Sequence, residues 1–343
     1  MKRIIYVDLL RITATFSVVL LHVAAGNWGN AELGTFEWKV FNFYDSMVRF
    51  GVPIFVMISG MFLLNPDKNI SYRDIYSKYI PRVVIAFIVW SFLYALYTNV
   101  SNYDTFNREV FTKSLVFGHY HLWYLYMIAG LYIVTPLLRK IAEDKAAAEY
   151  FIFLSVIITS VFPIIIKVFN LSDLDLFIKK FHLYFTFGYV GYYIGGYYLG
   201  RYEISKVSRN IFYVSGVLGI ICTYAFTDII SRYTGKADST FYSYFAPNVA
   251  AVSISLFLFF KYEVSKIRFN NNTVKVIGIV SDCSFGIYLI HDFFNMLMLK
   301  AGIDTLNYNA VLSVPLAAVT IFTASLAASF IIGKIPLLKR IMV

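Results

Sequence analysis

Tyr6-Val7-Asp8-Leu9-Leu10-Arg11-Ile12-Thr13-Ala14-Thr15-Phe16-Ser17-Val18-Val19-Leu20-Leu21-His22-Val23-Ala24-Ala25 decides the fold. The stretch is about 20 residues long and apolar almost throughout, the length that crosses a bilayer as one helix. Met1-Lys2-Arg3 before it and Val23-Ala24-Ala25-Gly26 at its end resemble a secretory signal and its cleavage site. Asp8, Arg11 and His22 argue against that, since a signal core is uninterrupted apolar sequence, and the segment is expected to be a retained first helix. Asp8 and Arg11 are three residues apart, and Arg11 and His22 are eleven apart, close to three turns. All three therefore project from one face with Thr15 between them. At 1.5 Å per residue, His22 lies about 16 Å farther across the bilayer than Arg11.

Outward from this helix, further windows of spanning length fall near 6–25, 42–64, 82–99, 119–138, 150–168, 181–199, 210–229, 243–260, 276–299 and 308–333. The expected fold is an all-α polytopic membrane protein of about ten helices, a single domain over residues 1–343 without linkers or repeats. Composition agrees: 59% of residues are hydrophobic and 15% charged, too few charges for a soluble surface. The formal charge of +10 does not point to nucleic acid, because the basic residues stand in short clusters between apolar runs and form no stripe. Nineteen Lys and Arg fall in one set of alternate connections, nine in the other, and Arg11 and Arg49 inside helices. The positive-inside bias then puts both termini in the cytoplasm. Cys222 and Cys283 lie within apolar runs and suggest no disulfide framework.

Ionisable side chains inside spanning segments are expensive, so each is a candidate site residue. Asp45 and Arg49 stand at i, i+4 near the outer end of the second window, above Gly51-Val52-Pro53 and Ser59-Gly60. Such an interruption is tolerated where it lines a cavity, though a plain proline kink with a local ion pair fits as well. In the ninth window Ser284, Tyr288, His291 and Asn295 share a face. Helical rise places His291 about 22 Å and His22 about 24 Å into the bilayer, at similar depth. Asp292 follows His291 directly and points elsewhere on the helix. Gly118-His119-Tyr120-His121 leads into the fourth window, which also suits a re-entrant segment. The plain alternatives are an interfacial ion pair for Asp8 and Arg11, an interhelical hydrogen bond for His22, and an interfacial belt for Trp123 and Tyr124. The five histidines are too scattered in sequence to suggest a metal site, and no P-loop, G-x-G-x-x-G, H-E-x-x-H or G-x-S-x-G is present.

Four segments in order resemble acyltransferase family 3, multipass bacterial proteins that move an acyl group, usually acetyl, from acyl-CoA to cell-surface saccharides and related acceptors. They are Asp8-Leu9-Leu10-Arg11 with His22, which reproduces the family's Arg-x10-His signature; Gly51-Val52-Pro53 through Ser59-Gly60; His121-Leu122-Trp123-Tyr124-Leu125; and Ser284-Phe285-Gly286-Ile287-Tyr288-Leu289-Ile290-His291. The resemblance spans essentially the whole chain. Two departures stand out. The family's Arg-x-x-Arg at the start of the third helix is represented only by Lys78 and Arg82, at a different spacing. The chain stops at Val343 after its last helix, which is similar to the stand-alone branch without an extracytoplasmic hydrolase-like domain.

The resemblance and the residues together imply a membrane O-acyltransferase, expected in a bacterial inner membrane. Arg11, Lys78 and Arg82 are expected to hold the phosphates of acyl-CoA, most simply acetyl-CoA. His22 is expected to serve as general base, with Arg49 and Asp8 completing the catalytic set. His121, Trp123, Tyr124, His291 and Asp292 are expected to face the acceptor, a lipid-linked or surface saccharide. No metal or cofactor beyond the acyl-CoA co-substrate is expected, and the expected partners are membrane lipid and the two substrates. Two rivals stay open: a transporter or flippase of a lipid-linked saccharide or small acyl metabolite, since intramembrane charges and broken helices serve transport too, and acyl transfer to a non-saccharide acceptor.

Overall fold

The computed structural model describes residues 3–68, 70–102 and 106–336. Lys2, Lys339 and Arg340 of the charge alternation lie outside the described residues. The chain folds as α1 (Ile5–Trp28), α2 (Phe36–Val48), α3 (Gly51–Leu63), α4 (Ile80–Asn102), α5 (Arg108–Phe117), α6 (Trp123–Glu143), α7 (Lys145–Ser155), α8 (Leu183–Arg201), α9 (Lys206–Thr234), α10 (Pro247–Tyr262), α11 (Asn271–Asp282), α12 (Ser284–Lys300) and α13 (Ala310–Ile332), with shorter α-helical, 3-10 and π segments between them. Among the described residues there is no strand, and each of the ten apolar windows falls on helix. Among the described residues, eight helical stretches are long and apolar enough to cross a membrane, and α11 with α12 makes a ninth as a pair bent by 60°. The window at 181–199 is occupied by α8, which falls short of that measure because six tyrosines and five glycines replace aliphatic residues along it.

Polarity is inverted relative to a soluble protein. Val84, Ile88, Phe92, Leu96 and Val100 form an exposed stripe along α4, and Val207, Ile211, Val214, Leu218 and Ile221 another along α9. Stripes of this kind are stable only against hydrocarbon. Asn42, Asp45, Ser91, His121, His291 and Asp292 are instead buried between helices. The protein is an all-α, multi-pass membrane protein.

Two features set the interior geometry. α3 and α8 pack with their backbones nearly touching: a Cβ on Gly60 would stand 1.8 Å from the Tyr193 carbonyl oxygen, and one on Gly196 2.0 Å from that of Met57. Only glycine permits this approach. The second feature is a pair of breaks in spanning segments. α2 passes into α3 through Arg49 and Phe50, and Pro53 falls in the first turn of α3, where its missing N–H is harmless. α11 passes into α12 at Cys283, whose carbonyl accepts the first backbone hydrogen bond of α12 from Ile287 at 2.9 Å and a second from Ser329 Oγ of α13 at 3.2 Å. The ninth window, expected as one run, is thus a broken helix inside the run of polar residues Ser281-Asp282-Cys283-Ser284.

Basic residues tie the connections at one end together. Arg139 donates to the carbonyls of Leu63, Asn65, Lys68 and Ile70 at 2.6–3.1 Å. Arg201 pairs with Asp67, and Lys261 donates to the carbonyls of Leu199 and Tyr202. Arg139, Arg201 and Lys261, three of the residues counted on the charge-rich side, therefore share one end of the bundle.

Candidate active site

From this basic end a cavity of about 450 Å³ runs inward between α1, α3, α4, α6 and the α11–α12 bend. Arg11, Lys68 and Arg82 line it as cations, and Tyr124, Tyr132 and Tyr288 as its inner aromatic wall. Arg11 is held in place by its neighbours. Its Nη1 donates to Ser281 Oγ at 3.2 Å and stands 3.7 Å from Asp8 Oδ1, while Ser281 Oγ donates to that same oxygen at 2.7 Å. Arg3 closes the network with Nε on Asp8 Oδ2 at 2.7 Å and Nη2 on Asp282 Oδ1 at 2.5 Å. Asp8 is thus an organiser of guanidinium groups. It stands fourteen residues from His22, about 21 Å along α1, and the structure does not bring the two together.

Lys78 is also placed apart from the cavity. It is exposed and paired with Asp74 at 2.6 Å. The cavity takes Lys68 instead, presented by the loop whose carbonyls Arg139 gathers. Burial of Lys68 pushes its ammonium below the ordinary lysine range, a cost that an anionic group in the cavity would offset.

Beyond the tyrosine wall four of the five histidines converge. His22 Nδ1 is 2.7 Å from His291 Nε2, with the rings stacked 4.9 Å apart. His291 Nδ1 is 2.7 Å from the Tyr288 carbonyl oxygen. A carbonyl only accepts, so with neutral rings His291 Nδ1 carries the proton and its Nε2 the lone pair. His22 Nδ1 must then donate. That leaves the lone pair of His22 on Nε2, free of this chain of hydrogen bonds. Similar depth, read from helical rise, has become direct contact.

The other two histidines arrive on a turn. Gly118 ends α5 at φ +72°, and a Cβ there would stand 2.7 Å from the Phe87 ring, so glycine is required on both counts. The turn sends His119, Tyr120 and His121 toward α12. Tyr120 OH donates to Asp292 Oδ1 at 2.7 Å, and His119 Nδ1 is 3.4 Å from Asp292 Oδ2. His121 packs edge-on against His291 at 5.0 Å. His119, His121 and Asp292 hold ligand-type atoms within 4.8 Å of one another, the spacing a divalent cation takes, yet these atoms already pair among themselves. Sequence reasoning missed His119, Tyr120 and Lys68. The clustering of ring-bearing polar residues after Gly118 is the signal that could have found the first two.

Arg49 stands apart from this cluster. Its guanidinium pairs with the buried Asp45 and lies 4.0 Å from the centroid of the Tyr242 ring. Trp123 turns toward it, stacking on Tyr244 at 5.9 Å, while Tyr124 packs on Tyr288 at 5.5 Å. An aromatic run thus joins the Asp45–Arg49 region to the histidines.

Comparison with curated proteins and with solved structures found no match. A family model described as an acyltransferase domain matches residues 4–334. The match takes in α1 with its Arg11 and His22, the cationic cavity and the histidine cluster alike, and with essentially the whole chain covered, this membrane protein belongs to acyltransferase family 3 and is an acyltransferase.

Proposed function

We propose that the protein moves an acetyl group from cytoplasmic acetyl-CoA to a hydroxyl of a lipid-linked or surface saccharide, in a bacterial cytoplasmic membrane, with His22 as general base. The observation that carries this reading is the hydrogen-bonded chain Tyr288 carbonyl, His291, His22, which presents a free Nε2 behind the wall of a cation-lined cavity. Arg11, Lys68 and Arg82 suit the phosphates of a polyanionic donor, and Asp8 fixes Arg11. The positive-inside count puts that end in the cytoplasm, where acyl-CoA is found. The pantetheine arm then carries the thioester inward over the roughly 16 Å that separates Arg11 from His22 along α1.

The acceptor O–H gives its proton to His22 Nε2 as its oxygen attacks the thioester carbonyl carbon. The C–O bond forms, the tetrahedral intermediate collapses, and the C–S bond breaks. The leaving thiolate takes the proton back from His22, so ester and free thiol leave a neutral imidazole. His291 positions His22, holding its tautomer throughout.

The test uses protein reconstituted in sealed vesicles containing lipid-linked saccharide, with radiolabelled acetyl-CoA on one side only. Label should reach the glycan only when the donor faces the basic end, whose side is fixed by thiol labelling: a cysteine at Ser208 shares the donor side and one at Asn30 the other. Equal transfer from either side, or label passing only to water, would overturn the proposal.

A further inference from the structure

Three buried polar atoms stand unpaired around one aromatic ring on the side of His22 away from the donor cavity. Asp45 is fully buried, and only its Oδ2 is engaged, by Arg49 Nη2. Asp45 Oδ1, Arg49 Nε and Trp28 Nε1 have no hydrogen-bond partner among the described residues. The Tyr242 ring links them, with the Arg49 guanidinium carbon 4.0 Å and the Trp28 ring 4.9 Å from its centroid. That ring is itself fixed, because Tyr242 OH donates to Asn42 Oδ1 at 2.5 Å and Asn42 Nδ2 donates to the Tyr224 carbonyl. Trp28 lies six residues past His22, about 9 Å farther along α1.

Buried polar atoms left unpaired are costly and rarely gathered without a purpose. One acceptor and two donors beside an ion pair suit adjacent hydroxyls: Asp45 Oδ1 takes an O–H, while Arg49 Nε and Trp28 Nε1 each give an N–H to a neighbouring oxygen. The pair is neutral overall. An anionic ligand would meet Asp45 and a cationic one Arg49, both in a medium that magnifies like-charge repulsion. We propose that Asp45, Arg49 and Trp28 form a specificity subsite that holds the acceptor by uncharged hydroxyls and rejects charged analogues, with the reacting hydroxyl reaching down to His22. The proposal rests on the acyl-transfer reading and adds the residues that choose the acceptor.

The probes are methyl glucoside, methyl glucuronide and methyl glucosaminide, added to the full chain in lipid nanodiscs and followed by saturation-transfer NMR, with acetyl-CoA binding measured in parallel. Wild type should bind the neutral glucoside best. Trp28→Phe, which keeps a ring and removes the N–H, and Asp45→Asn should each weaken glucoside binding about tenfold, the worth of one polar contact, with acetyl-CoA affinity within about twofold of wild type. Asp45→Asn strips Arg49 of its counter-charge, so if that variant loses acetyl-CoA binding as well, Trp28→Phe decides alone. Unchanged glucoside affinity in Trp28→Phe, or a wild type that binds either charged analogue as well as the neutral one, would overturn the subsite. Neither result touches the base assignment, which fails if His22→Ala transfers label at near the wild-type rate, or the donor assignment, which fails if Arg11→Ala and Arg82→Ala bind acetyl-CoA unchanged.

Discussion

At the basic end, Arg11, Lys68 and Arg82 line an open cavity, and the Arg11 side chain is still 30% exposed. At the opposite side of His22 the charges are shut in: Asp45 is 0% exposed and Arg49 15%, each neutralising the other. Both regions place guanidinium groups among aromatic rings, but one presents net positive charge to solvent and the other presents none. Coulomb attraction to a polyanion is useful where water can be displaced gradually, while a desolvated pocket does better with hydrogen bonds to a neutral ligand. On the proposed reading, the two regions would sort two substrates by charge before they meet at one imidazole.

The sharpest way to break this comparison is at the meeting point. His22→Ala should reduce transfer per folded molecule by about 10²–10⁴-fold, the usual worth of a positioned acid-base group, with acetyl-CoA affinity preserved; a variant near wild-type turnover would remove the shared centre. Next in size come the donor cations. Arg11→Ala and Arg82→Ala should each weaken acetyl-CoA binding by roughly 1.5–3 kcal/mol, measured by titration calorimetry, whereas Lys78→Ala should change it little, because that side chain is spent on Asp74 outside the cavity. Equal losses at all three positions would mean that the phosphates also reach the turn before α4 that carries Lys78.

His291→Ala should lower kcat about tenfold, as loss of one orienting hydrogen bond of about 1.4 kcal/mol implies, and leave the KM for acetyl-CoA unchanged. A structural histidine would lower the folded fraction without changing the rate of what remains folded. The smallest effect belongs to Ser329→Ala, which removes the interhelical hydrogen bond to the Cys283 carbonyl at the helix break: about 0.6–2 kcal/mol of stability in detergent unfolding. If donor affinity fell with it, the bend would be shaping the cavity as well as ending a helix.

Much of this was readable from sequence, for a definite reason. Lipid demands long apolar runs, so all ten windows found helix, and the fixed rise of a helix made the equal depth of His22 and His291 a calculation. The same arithmetic already separates Asp8 from His22, although both are ionisable groups on one face. What depended on loops was hidden. The choice of Lys68 over Lys78 follows from four carbonyls gathered by Arg139, and the arrival of His119 and Tyr120 at Asp292 follows from a left-handed glycine; neither leaves a periodic trace.

The contact of α3 with α8 has a mechanical consequence. Sliding between helices usually exploits a compliant layer of side chains, and at Gly60 and Gly196 that layer is missing, backbone bearing on backbone. The two helices act as a keel. Any widening around a nucleotide-sized donor must therefore come from the partners around this pair, such as the 60° elbow between α11 and α12, which Ser329 holds at Cys283 and Arg3 and Asp8 hold at Asp282 and Ser281.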